Sequence, residues 1–129
     1  MDHDERELRF RLLRDHYENH GKSANYLLAA HGAGLIACMS ILKDYAQTPQ
    51  FKGLGVFIVI FGVGLLGSIV MYISVAISRM IALNMAVYDD RRLSPLASFL
   101  LGLNIAGLIL AVLCLFIAIA LLICRFASL

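Results

Sequence analysis

Two long stretches of this chain lack charge altogether. Residues 53–78 and residues 93–124 contain no Asp, Glu, Lys or Arg, and each is long enough to cross a hydrocarbon core of about 30 Å as a helix. A 129-residue chain has room for one compact unit, too small to hide both stretches in a soluble core. Cysteine is also scarce. Cys38, Cys114 and Cys124 are isolated, form no Cys-x-x-Cys pair and lie in or beside apolar runs, so they read as small hydrophobes rather than a disulfide framework.

Catalytic signatures are missing too. The chain has no Gly-x-Ser-x-Gly elbow, phosphate loop, zincin motif or dinucleotide fingerprint, which disfavours an enzyme. No carboxylate lies within the apolar runs and no inverted repeat is visible, which argues against a proton-driven secondary transporter. No block of one charge sign occurs either. The first 24 residues carry six acids and five bases, too balanced for a nucleic-acid arm or a polybasic lipid tail. The same charges are incompatible with a cleaved signal peptide, so the first apolar segment is expected to stay in the mature protein.

What remains is apolar: 60% of residues are hydrophobic, against roughly 45–50% in a typical soluble chain. The expected fold is an all-α membrane protein with three transmembrane helices preceded by an amphipathic helix. Residues 1–22 form the expected cytoplasmic amphipathic helix, with Phe10, Leu12, Leu13, His16 and Tyr17 on one side and Gly21 as its stop. Residues 23–129 form the three-helix domain, with spans near 25–43, 54–78 and 96–124. The first is the least apolar, with Asn25, His31 and Ser40 among its side chains. A full crossing is favoured there over an interfacial or re-entrant segment, because lipid does not tolerate unpaired backbone groups. Pro49 and Phe51 mark the first connector. Ser78 to Tyr88 can continue the second helix beyond the bilayer, "DDRRLSP" forms the second turn, and Ser94 before Pro95 is the expected N-cap of the third helix.

Three passages put Arg6, Arg9, Arg11, Arg14, Lys22, Arg79, Arg91 and Arg92 on one side, and Lys43, Lys52 and Arg125 on the other. The eight-to-three excess predicts a cytoplasmic N-terminus and an external C-terminus. With that topology His31 lies about 8 Å and Asn104 about 12 Å below the same surface, at 1.5 Å per residue. Together with Tyr72 and Ser74 they form a candidate polar interhelical layer. A proton-transfer or ligand site and a wet cavity are the competing readings of the same residues.

Small residues recur at helical spacing. Ala30, Gly34 and Cys38 form one ridge, Gly64 and Ser68 a second, and Gly102 with Ala106 and Gly107 with Ala111 two more. Such ridges let helix backbones approach closely in lipid. Arg9, Arg11, Arg14, Arg91 and Arg92 are candidate contacts to a partner or to lipid headgroups. His16 and His20 share a face but match no strong metal motif, and neither a metal nor a cofactor is expected.

His31-Gly32-Ala33-Gly34, followed by "FGVGLLGS", resembles a pattern in small bacterial inner-membrane proteins whose first apolar helix carries an Asn-Gly-Gly-Ala-like core. Histidine stands here where that pattern carries an amide. The resemblance implies a multi-pass protein of the bacterial inner membrane and supplies no reaction. The leading functional reading is a small oligomeric membrane protein with a structural or regulatory role, partnered by the bilayer and by itself or a larger membrane protein, not by nucleic acid. The alternatives are a homo-oligomeric channel or membrane-perturbing effector and a cofactor-bearing electron-transfer subunit, in which a symmetric dimer would supply a second His31.

Overall fold

The structure is a computed structural model that describes residues 3–45, 53–88 and 94–127. Three helices account for nearly all of them: α1, His3–Tyr45; α2, Leu54–Tyr88; and α3, Ser94–Ala127. At 1.5 Å per residue they are about 64, 52 and 51 Å long, and each is long and apolar enough to cross a membrane. The outward surfaces of α2 and α3 are clad in exposed Val, Leu, Ile and Phe, including Val59, Leu66, Ile109 and Phe116, as lipid contact requires and water contact penalises. The chain is a multi-pass all-α membrane protein.

The amphipathic segment is not a separate helix. Expected to stop at Gly21, it runs straight into the first span as one 43-residue helix. Gly21 ends a helix only by taking a left-handed cap conformation, and Gly53 is the glycine with positive φ (97°) among the described residues. The helical cost of Gly21 is only about 1 kcal/mol, too little to stop a helix this long. Around it Lys22 pairs with Glu18 at 2.9 Å, the Ser23 hydroxyl donates to the Asn19 carbonyl, and Tyr17 lines a slot shared with α2. The continuous α1 also leaves no break for a re-entrant turn in residues 25–43.

The helices run up, down and up, with α2 in the middle. Both α1 and α3 lie along α2, and α1 touches α3 only slightly. The buried residues of α3 are Leu100, Asn104, Gly107, Ala111, Cys114 and Ala118, spaced alternately four and three apart. That is the seam of a left-handed, knobs-into-holes pair. On α2 the buried Phe57, Gly64, Met71 and Ser78 repeat every seven residues. The antiparallel register of α1 on α2 holds over their whole shared length: Gly34 meets Phe61, His31 meets Gly64, and Tyr17 and Arg14 reach the level of Arg79 and Ala82.

Gly53 immediately precedes α2, with the Val56 NH donating to its carbonyl at 3.1 Å. Its positive φ disfavours any side chain, and the Arg125 guanidinium lies 3.1 Å from where a Cβ would sit. Pro49, Phe51 and Lys52 lie outside the described residues, as do Asp89 to Leu93, which include Arg91 and Arg92. The side chains of Arg6, Arg9 and Ser94 are likewise outside them.

Candidate functional site

The centre of the bundle is built around His31. Its side chain is 0% exposed, although it belongs to the least apolar of the three spans. The imidazole lies flat in the space that Gly64 leaves on α2, where any Cβ would overlap the ring. One turn along α1, Gly34 leaves a matching space for the Phe61 ring. Phe61 and His31 meet edge to face, with centroids 6.0 Å apart at 64°, a favourable geometry for two π systems. Each helix therefore sends a ring into a glycine notch of the other.

The ring reaches past α2 to α3. His31 Nε2 lies 2.9 Å from the carbonyl oxygen of Ala111. A carbonyl only accepts, so Nε2 is the protonated nitrogen, and in the neutral ring Nδ1 keeps its lone pair. The Ala111 oxygen has a second lone pair for its own helix, so the clasp costs α3 no backbone bond. Nδ1 is buried and has no hydrogen-bond partner among the described residues. The Ser68 hydroxyl does not turn toward it, donating instead to the Gly64 carbonyl at 2.9 Å within α2.

Between α2 and α3 the contact is backbone to backbone. A Cβ on Gly107 would come 2.7 Å from the Gly67 carbonyl oxygen and 3.1 Å from the Met71 nitrogen. One on Gly67 would come 3.1 Å from the Gly107 oxygen and 3.3 Å from the Ala111 nitrogen. Neither neighbour is a flexible side chain, so neither can yield. Met71, 0% exposed, fills the interior next to this crossing.

The four residues of the expected polar layer separate. Ser74 and Asn104 are buried, and the antiparallel register places them at similar levels of the α2–α3 seam. Tyr72, 46% exposed, faces outward. His31 is not level with Asn104: its acceptor, Ala111, lies seven residues further along α3, about 10 Å at helical rise. Equal counting from the first apolar residue fails because α1 takes its height from the glycine notches of α2, not from where its charges stop. The Asn104 Oδ1 and Ser78 Oγ atoms are buried without hydrogen-bond partners among the described residues.

Of the small-residue ridges, Gly34, Gly64, Ser68, Gly107 and Ala111 line the interior, and Ala30 and Cys38 are half-buried. Gly102 and Ala106 face outward, with nothing within 4 Å of a Cβ on Gly102. Gly67, Phe61, Met71 and Ser78 were not singled out from the sequence. The register that pairs Gly67 with Gly107 would have found the first, but it requires knowing the rotation of both helices.

Near the start of α1, Arg11 pairs with Glu7, and Arg14 Nε lies 3.6 Å from Asp15. His16 and His20 meet edge to face at 4.4 Å. Burial first, and then its neighbour His16, lower the basicity of His20. Among the described residues no three His, Cys, Asp or Glu side chains converge as metal ligands. All three cysteines are free.

The arrangement does one thing well chemically: it locks three helices together at a single level, through a ring, two glycine notches and one interhelical hydrogen bond. No family model, curated protein or solved structure matches the chain.

Proposed function

We propose that the protein is a small homo-oligomeric component of the bacterial inner membrane with a structural or regulatory role, its N-terminus in the cytoplasm and its C-terminus outside. One observation carries the reading. The α1 span is the least apolar, with a mean hydropathy of 1.5 against 2.6 and 3.2 for α2 and α3, yet only 6% of it is buried, against 28% and 22%. A helix poorly suited to lipid and uncovered by its own chain is best stabilised by protein. Ala29, Ala33 and Ala37 line its outward side, and such a ridge supports close helix packing in lipid.

Gly102 and Ala106 on α3 supply a second outward face for a neighbouring copy. The excess of basic residues at the N-terminal end supports the orientation, and the resemblance of "HGAG" with "FGVGLLGS" supports the bacterial membrane. Native-disc mass measurement tests the assembly. Multimers are expected, reduced to monomers by Ala29→Leu with Ala33→Leu; a wild-type monomer without co-purifying protein refutes it. Met71 and the Gly67–Gly107 crossing fill the interior of one chain, so a conducting path would lie between copies, and ion-tight proteoliposomes would dispose of a channel.

A further inference from the structure

A slot of about 140 Å³ opens between the two helices where they leave the bilayer at the N-terminal end. From α1 it is lined by Phe10, Leu13, Arg14 and Tyr17, and from α2 by Arg79, Ala82 and Leu83. Its depth in the membrane is set by charge. Arg79 is the first charged residue after the uncharged stretch 53–78, so the slot sits in the headgroup zone, the outer part of a bilayer about 40–45 Å thick.

The lining is apolar apart from two guanidinium groups and the Tyr17 hydroxyl, and among the described residues no acid contributes to it. Of the nearby acids, Glu18 holds Lys22 at 2.9 Å, with Arg14 and Arg79 as lesser electrostatic neighbours, and Glu7 pairs with Arg11, while Asp15 lies 3.6 Å from the Nε of the slot's own Arg14 and would share that guanidinium with a ligand. Phe10, Leu13 and Leu83 remain exposed, so the slot opens outward. We propose that Arg14 and Arg79, with the apolar slot between them, bind the phosphate headgroup and first chain methylenes of an anionic phospholipid.

Size and charge select this occupant. The volume is close to that of the cavity of about 150 Å³ that accepts benzene, which admits a few methylenes but not a partner helix. Two arginines match a phosphate and disfavour the added cation of a zwitterionic headgroup. Tyr17 places an amphipathic ring at the depth where such rings are enriched. The site does not depend on the oligomeric state proposed above.

The test is native mass spectrometry of the full chain in mild detergent, titrated with phosphatidylglycerol or phosphatidylcholine. Phosphatidylglycerol is expected to be retained preferentially. Loss of each arginine (Arg14→Gln, Arg79→Gln) is expected to weaken retention about fivefold. Ala82→Trp, which fills the slot without removing charge, is expected to displace the lipid, while Lys43→Gln at the far end leaves it bound. Inorganic phosphate at millimolar concentration is expected not to compete. Equal retention of both lipids, equal loss in Lys43→Gln, retention in Ala82→Trp, or displacement by free phosphate would each overturn the site. So would a photo-crosslinker at Leu83 that captures a protein instead of lipid. Multimer masses, read in the same spectra, report separately on assembly.

Discussion

A single methyl group at Gly64 is expected to open the bundle. In Gly64→Ala the new carbon would overlap the His31 imidazole, which is fully buried and held by the Ala111 carbonyl. Relieving that overlap must move the ring or the helices, so α1 shifts, the hydrogen bond breaks, or both. Overpacking of this kind costs about 1–3 kcal/mol, and an interhelical hydrogen bond in a membrane bundle contributes roughly 1 kcal/mol. The expected total is about 2–4 kcal/mol.

Cys114 is the reporter, because it is buried at the α3 seam. With Cys38→Ser and Cys124→Ser as background, its maleimide modification in detergent tracks the opened population when reclosing is fast. A loss of 2–4 kcal/mol corresponds to roughly thirty- to several-hundredfold faster modification. The decisive comparison is His31→Ala with Gly64→Ala. Deleting the ring vacates the space that the methyl needs, so the double variant is expected to be no less stable than His31→Ala alone, a strongly non-additive pair. Additive costs, or an unperturbed Gly64→Ala, would refute the clasp.

Gly107→Ala meets backbone on two sides and is expected to cost about 1–3 kcal/mol in the same assay; Gly102→Ala, with open space around it, is expected to be neutral or to gain up to about 1 kcal/mol. Asn104→Leu removes a buried acceptor that has no partner among the described residues and is expected to be neutral or stabilising by about 1 kcal/mol, as read by thermal melting in detergent, while Tyr72→Phe changes nothing measurable. The Lys22 hydrogen bond and charge hold the Glu18 carboxyl below its usual range. Because the folded value is the lower one, this small contribution is complete above the ordinary glutamate value and fades as pH falls through the folded value. Hydrogen-exchange protection over residues 14–22, taken relative to the intrinsic rate at each pH, is expected to fall on acidification in wild type and to lose that step in Glu18→Gln.

Much of the fold was legible because lipid imposes a simple rule. A stretch without charge must be long enough to cross and must satisfy its own backbone, and residues 54–77 and 96–124 meet both demands by composition. The continuity of α1 was less legible. Gly21 is a strong local stop signal, but a glycine within a helix costs only about 1 kcal/mol, and the helix runs through it. The candidate layer was half legible: His31, Ser74 and Asn104 are buried, as polar residues in lipid tend to be, but the level of His31 and the outward direction of Tyr72 were not.

The sequence alone determined three long helices, their alternating directions and the polar residues that lipid would reject, since these follow from length, charge and period. Tertiary structure decided which small residues face inward. Gly102 with Ala106 and Gly107 with Ala111 have the same four-residue spacing, and only the rotation of α3 against α2 buries the second pair and exposes the first. It also chose the partner of His31. That acceptor is a main-chain carbonyl on α3, a group every residue carries, so no side-chain pattern marks it, and only the glycine notch at residue 64 lets the ring reach it.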